Sequence, residues 1–257
     1  MKFYKYQGTG NDFVMIDDRT EQFPQNPALI AQLCDRRFGI GADGLILLQH
    51  AEGYDFRMVY FNADGNQGSM CGNGGRCTVR FAHDLGVIQD STRFIAVDGE
   101  HLASVCEEDI FLKMSDVSQI ERHHEYDFLN TGSPHYVTFF SDLTELDVYE
   151  KGYAIRYADE WVARGGTNVN FVQVLDPETL FVRTYERGVE DETYSCGTGV
   201  TACALSAHLR HGMQEPINIR TLGGNLRVSF TQLEDGNFEN IYLIGPAKRV
   251  FEGEISL

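Results

Sequence analysis

The sequence has no long apolar run. Hydrophobic residues make up 42% of the 257 positions, yet no stretch approaches the ~20 apolar residues that a membrane-spanning helix needs. The opening Met1-Lys2-Phe3-Tyr4-Lys5-Tyr6 lacks the apolar core of a signal peptide. A soluble, cytoplasmic protein is expected. Positive charge is scarce, with 21 Lys+Arg against 38 Asp+Glu and a net charge of −17. Nucleic acids and anionic membranes would repel such a chain, so neither is an expected partner. A small zwitterionic molecule is not excluded. Close Cys/His pairs are also missing. The six cysteines stand at 34, 71, 77, 106, 196 and 203 with no CxxC spacing, so neither structural zinc nor a dense disulfide scaffold is expected. His208 and His211 lie near each other on a helical stretch with no further ligand close by, and read as solvated helix residues. No Pro/Ser-rich linker divides the chain.

What is present is a short motif that occurs twice. Met70-Cys71-Gly72-Asn73-Gly74-Gly75 and Ser195-Cys196-Gly197-Thr198-Gly199-Val200 lie half a chain length apart. Each precedes a helix-like run, Arg76–Asp84 and Thr201–Arg210. Glycines let backbone approach a ligand closely. Free N–H groups and the helix dipole at a helix start favour negative charge, whether thiolate or carboxylate. A thiol with a reference pKa of about 8.5 is a usable acid and base near neutrality. Two thiols flanking one α-carbon could take a proton from one face and give one to the other, inverting the centre. Either cysteine alone would read as a buried core residue; the matched pair reverses that reading. For Cys34, Cys77, Cys106 and Cys203 the buried-core reading stands.

The two halves share a plan. In the first, Asp12–Asp17 and Asp55–Asn62 read as strands. Pro27–Phe38 reads as a helix with Leu29, Ile30, Leu33 and Phe38 on one face. Leu45–Leu48 is a strand. In the second half Asn168–Val174 and Leu180–Glu186 are strands before the cysteine motif, and Ile217–Thr221, Leu226–Phe230 and Ile241–Ile244 close the chain. Strand, turn, cysteine, glycine, helix thus occurs twice, which a duplicated α/β unit explains. Each half should wrap a curved sheet around its own helix, burying Val79, Phe81 and Ala82 in one, and Ala202, Ala204, Leu205 and Ala207 in the other. The expected fold is α/β, with two pseudo-symmetric domains. Each is a curved, mostly antiparallel, barrel-like sheet around a central helix, with the active site in the cleft between them. The expected division is 1–115 with about 247–257, and 116–246. Gly8-Thr9-Gly10-Asn11-Asp12-Phe13 is no dinucleotide fingerprint, since no helix follows.

Taken in order, several stretches resemble the diaminopimelate epimerases. These are Gly8-Thr9-Gly10-Asn11-Asp12-Phe13, Phe61-Asn62-Ala63-Asp64-Gly65, Met70-Cys71-Gly72-Asn73-Gly74, Pro134-His135, Thr167-Asn168, Tyr185-Glu186-Arg187-Gly188 and Cys196-Gly197-Thr198-Gly199. Together they span nearly the whole chain. The resemblance implies an isomerase without cofactor or metal that interconverts L,L- and meso-diaminopimelate on the route to lysine and peptidoglycan, and a homodimer. Cys71 and Cys196 match the two catalytic cysteines; from L,L to meso the first donates and the second accepts the proton. Asn11, Asn62, Asn168, Glu186 and Arg187 match substrate contacts, and Gly72-Asn73 and Gly197-Thr198 match the helix-start carboxylate site. His135 and Glu186 match residues that tune the cysteines. The chemistry agrees: a guanidinium such as Arg187 can grip a distal carboxylate with two hydrogen bonds. Against this, Arg187 could be a surface ion pair with Glu186 or Glu190. Ser133 and Gly44 depart from some members, which carry asparagine and glutamine there.

Proline and hydroxyproline racemases share the two-cysteine logic but need no grip on a distal amino acid, and phenazine-type isomerases lack the cysteine pair. A third reading is a thiol switch, with Cys71 and Cys196 joined in a regulatory disulfide. Turnover under reducing conditions separates it from an enzyme.

Overall fold

The computed structural model describes residues 1–256, which fall into two compact units. One comprises Met1–Leu112 and Gly245–Leu257, the other Lys113–Ile244. The first unit runs β1 (Lys2–Gly8), β2 (Asn11–Asp17), α1 (Pro27–Cys34), β3 (Gly44–Gln49), β4 (Arg57–Asn62), α2 (Gly72–Asp84), β5 (Ser91–Ala96), β6 (Gly99–Cys106) and β7 (Asp109–Lys113). The second runs β8 (Ile120–Arg122), β9 (Tyr126–Asn130), β10 (Pro134–Phe140), α3 (Val148–Arg156), α4 (Asp159–Ala163), β11 (Asn168–Asp176), β12 (Thr179–Glu186), β13 (Asp191–Thr193), α5 (Gly197–His211), β14 (Ile217–Thr221), β15 (Gly224–Gln232) and β16 (Phe238–Pro246). A last strand, β17 (Lys248–Glu254), pairs with β1 in the first unit.

The duplication is visible in the ladders. In the first unit the strands follow the order β17-β1-β2-β3-β4-β5-β6-β7; β2–β3 and β4–β5 are parallel and the rest antiparallel. In the second, β8-β9-β10-β11-β12-β14-β15-β16 repeats that pattern, with β10–β11 and β12–β14 parallel. The long helices occupy the same place in both, α2 between β4 and β5, α5 between β12 and β14. A parallel pair cannot be joined by a tight turn, so a crossover helix belongs at each.

Both helices are wrapped. α2 packs on β1, β2, β3, β4, β6 and β17, and α5 on β9, β10, β11, β12, β14 and β15. Val79, Phe81, Ala82, Ala202, Ala204, Leu205 and Ala207 are fully buried, as their apolar character requires. Short side chains let the sheet close in. Buried Thr78 and Thr201 satisfy their hydroxyls on the Gly74 and Gly197 carbonyls one turn back, at 2.8 and 2.9 Å. At the far end of α5, the Asp127 carboxylate of β9 accepts from Arg210 Nε at 2.8 Å and Nη2 at 2.7 Å, and from Ser206. Asp127 is fully buried, so removing one partner strands a charge. Asp127→Ala is expected to lower unfolding free energy by about 3 kcal/mol in urea denaturation. A loss under ~1 kcal/mol, the range of surface pairs, would show that the clamp contributes little.

Four expectations are corrected. α1 ends at Cys34, not Phe38: the Asp35 carboxylate takes the Arg37 and Phe38 amides, both at 2.7 Å, and turns the chain out, leaving Phe38 85% exposed. Cys106 is exposed, because it closes β6 at a hairpin turn. His208 is not simply solvated. Its Nδ1 meets the Met213 carbonyl at 2.7 Å, its Nε2 meets Gln232 at 3.0 Å, and its ring packs on Phe230 and Phe238. Ile241–Ile244 is not the final strand, since β17 follows.

Candidate active site

Each cysteine motif is a helix start. Cys71 is the N-cap of α2 and Cys196 that of α5, both in extended backbone. The helices begin at Gly72 and Gly197, so the glycines of the motifs form their first turns. An N-cap position exposes the opening amides of the helix to whatever the side chain carries. The two sulfurs use this differently. Cys71 Sγ accepts from the Gly74 amide at 3.2 Å. Cys196 Sγ makes no such cap and instead meets the Thr198 hydroxyl at 3.5 Å.

In the first unit the surroundings of Cys71 come from the β1–β2 hairpin and α2 itself. Asn11 opens β2. Its Nδ2 donates to Asp43 Oδ2 at 2.7 Å, which turns Oδ1 toward Cys71 Sγ at 4.0 Å and Asn73 Nδ2 at 3.4 Å. Asp43 is held in turn by Arg36, which also grips Asp12. Arg76, fully buried, reaches the Gly72 carbonyl at 3.3 Å, Asn73 Oδ1 at 3.0 Å and Thr9 Oγ1 at 3.1 Å, tying the hairpin tip to the first turn of α2. Burial pushes its guanidinium down to about 10, against the pull of the Cys77 and Cys71 sulfurs. Asn62, exposed, ends β4 where the chain turns toward Cys71.

In the second unit the equivalent strand ends carry His135, Asn168 and Glu186. His135 is fully buried, with Nε2 2.9 Å from Thr198 Oγ1 and Nδ1 3.1 Å from Asn170 Nδ2. Burial and then the nearby Arg187 charge push its pKa down to about 3, so the ring is neutral. The Glu186 carboxyl is pushed up by burial, and the Thr193 hydroxyl, donating at 2.8 Å, offsets part of this. Arg187 lies just beyond the strand, where Gly188 turns with φ of +95°. The strand therefore ends between Glu186 and Arg187, and alternation no longer forces them to opposite faces. Arg187 is exposed and bonds the Gly165 carbonyl at 3.1 Å. Glu190 pairs with Arg156 instead, at 3.3 Å.

Asn168 is buried and busy. Its Nδ2 donates to Ser133 Oγ and the Pro134 carbonyl, both at 2.9 Å, and its Oδ1 accepts from the Arg187 amide at 2.9 Å. Both amide hydrogens are spent on the protein, so only the second lone pair of Oδ1 is left for a ligand. The side chain braces the Arg187 corner. Among the described residues no group of three or more His, Cys, Asp or Glu could hold a metal ion.

A family model described as diaminopimelate epimerase matches residues 3–120 and 128–250. The chain belongs to the diaminopimelate epimerase family. It is 55% identical to the diaminopimelate epimerase of Flavobacterium psychrophilum over 99% of this chain and 100% of that one. It is 43% identical to that of Chlorobaculum tepidum over 97% and 99%, and 38% identical to that of Aquifex aeolicus over 100% and 98%. Among solved structures, a Bacillus anthracis phenazine biosynthesis protein of the PhzF family has a TM-score of 0.78 at 14% identity, covering 100% of this chain and 99% of that one. A probable proline racemase from Agrobacterium radiobacter K84 has 0.70 at 14%, covering 100% and 93%. At such identity the likeness is one of fold.

Gly44 and Ser133 are the departures from the resemblance noted in the sequence, and the structure shows what each does. A Cβ on Gly44 would stand 2.5 Å from both the Phe61 carbonyl oxygen and the Tyr60 ring, so a glutamine there would need both to move. Ser133 Oγ accepts one hydrogen bond from Asn168 Nδ2, at 2.9 Å. Asn170, Thr184, Arg76 and Asp43 were not singled out from the sequence. For Asn170 a signal existed: in Asn168-Val169-Asn170 the period of two puts both amides on one face of the strand.

Proposed function

We propose that this chain interconverts L,L-2,6-diaminopimelate and meso-diaminopimelate by proton transfer at the α-carbon, without cofactor, through Cys71 and Cys196. The observation that carries this is the pair of cysteines at matched N-caps of matched helices in a chain of the diaminopimelate epimerase family. In the L,L-to-meso direction the Cys196 thiolate takes the α-proton and the Cys71 thiol gives one to the opposite face. The reverse direction exchanges the roles. The amides of Gly72-Asn73 and Gly197-Thr198 hold the α-carboxylate, where helix starts favour negative charge. Arg187 grips the distal carboxylate. Asn11, Asn62, the remaining lone pair of Asn168 and Glu186 accept from the ammonium groups. His135 and Glu186 tune the sulfurs. The enzyme acts in the cytoplasm as a homodimer, and light scattering on the purified protein tests the dimer. Among the described residues no helix is long and apolar enough to cross a membrane.

The deciding experiment is turnover of L,L-diaminopimelate in deuterated water, with neither pyridoxal phosphate nor metal added. The meso product is expected to carry deuterium at the inverted carbon. Absence of conversion, or dependence on added pyridoxal phosphate, would overturn the reading. Proline and hydroxyproline are expected to be inert, since neither has a distal carboxylate for Arg187.

A further inference from the structure

A row of polar side chains crosses three adjacent strands beneath the start of α5. Thr184 lies on β12, Asn170 opposite it on β11, and His135 on the neighbouring β10. All three are buried. Buried polar groups must be paired, and here the pairing has only one consistent direction. Asn170 Nδ2 is 3.0 Å from the Tyr136 carbonyl, which can only accept, so the amide nitrogen faces β10. Its oxygen then accepts from the Thr184 hydroxyl at 3.0 Å. The second hydrogen on Nδ2 meets His135 Nδ1 at 3.1 Å, so Nδ1 must be the bare nitrogen. The neutral ring therefore carries its hydrogen on Nε2 and donates to Thr198 Oγ1 at 2.9 Å. The Thr198 hydroxyl, already accepting, turns its own hydrogen to Cys196 Sγ at 3.5 Å.

We infer that Asn170 is a positioning residue that fixes the tautomer of His135 and so aims the Thr198 hydroxyl hydrogen at the Cys196 sulfur. This deepens the proposed two-cysteine reaction and rests on it. Four hydrogen bonds then run head to tail, from Thr184 through Asn170, His135 and Thr198 to the sulfur. Each polarises the next. A donor aimed at a sulfur favours the thiolate over the thiol. The second glycine of the Cys196 motif, Gly199, is part of the device. A Cβ on Gly199 would stand 2.5 Å from Asn170 Oδ1 and 3.3 Å from His135 Cε1, so this position must be bare for the row to pass beneath the helix.

Other titratable groups surround α5. Asp127 of β9 is clamped to Arg210 at the far end. Glu186 ends β12 with Arg187 beyond it. Cys203, within the helix, has its thiol held well above the ordinary range by burial. Near neutral pH, Cys203 stays protonated and His135 stays neutral.

The first test needs no variant. Nitrogen-15 NMR of the ring-labelled wild-type protein should show His135 as the Nε2–H tautomer with no titration near its ordinary value; an Nδ1–H ring would overturn the inference. The second is Asn170→Asp, whose carboxylate accepts from Nδ1–H and reverses the chain. The pH dependence of Cys196 alkylation, read by peptide mass mapping against iodoacetamide, should move up by about one unit, a tenfold loss of thiolate well below the midpoint. The added charge is controlled by repeating the change in Thr198→Val, where the chain is already cut. There Asn170→Asp should make little further difference. An undiminished effect in that background would mean simple charge repulsion and would overturn the relay. These readouts do not depend on diaminopimelate. Failure of the relay therefore leaves turnover of that substrate untouched, and failure of the two-base reading shows as absent turnover with the relay signatures intact.

Discussion

Replacing either Cys71 or Cys196 by serine is expected to lower kcat/KM for diaminopimelate by about 10³-fold or more, in both directions, with the fold unchanged by circular dichroism. A hydroxyl is too weakly acidic to stand in for a thiolate, and a positioned acid or base contributes on the order of 10²–10⁴. The loss must be equal for the two directions, because the ratio of forward to reverse kcat/KM is fixed by the equilibrium constant, which no variant changes. The double variant should be scarcely worse than either single one, since residues that act as a unit are not additive. Near-normal turnover in one single variant would sink the two-base proposal and leave a one-sided base with solvent as the acid.

Arg187→Ala is expected to cost about 2–5 kcal/mol in kcat/KM on diaminopimelate, the range for truncating one partner of a desolvated charge pair. Arg187 stands exposed at a strand end, with one arm on the Gly165 carbonyl and its backbone held by Asn168. Among the described residues its guanidinium pairs with no carboxylate: Glu190 bonds Arg156 and Glu186 bonds Thr193. Arg187→Lys should fall between, keeping the charge but losing the planar fork. If Arg187→Ala leaves the kinetics unchanged, the distal carboxylate is held elsewhere.

The strands that were legible in the sequence are those whose composition and surroundings agree. Ile217–Thr221 is found as read, and Leu45–Leu48 grows only to Gly44–Gln49. The helices behind the cysteines were read as starting at Arg76 and Thr201, but they start at Gly72 and Gly197. Glycine is a poor helix former, so propensity argues against it in a first turn. Crowding inside the sheet decides otherwise: a Cβ would meet neighbours at 3.2 Å on Gly74, 3.1 Å on Gly75 and 2.5 Å on Gly199. The end of α1 was missed because leucine and phenylalanine spacing continues past Cys34, while the stop is the Asp35 side chain bonding its own backbone. Repetition of Cys-Gly-x-Gly made the two cysteines legible. Asn170 and Thr184 were not legible as a pair. They come together only through strand pairing, which the sequence of neither strand shows.

The position of β17 bears on how the protein is made. Residues 113–244 are continuous, so the second unit has all its strands once that stretch has left the ribosome. The first unit begins the sequence yet needs Lys248–Glu254 to cover β1. During synthesis β1 remains an open edge, able to pair with a stranger, until Lys248–Glu254 emerge. The usual order, in which the N-terminal part folds first, would leave β1 without this partner. A nascent chain stalled near residue 246 would carry a finished second half and an unsealed first one, and that species would depend most on a chaperone.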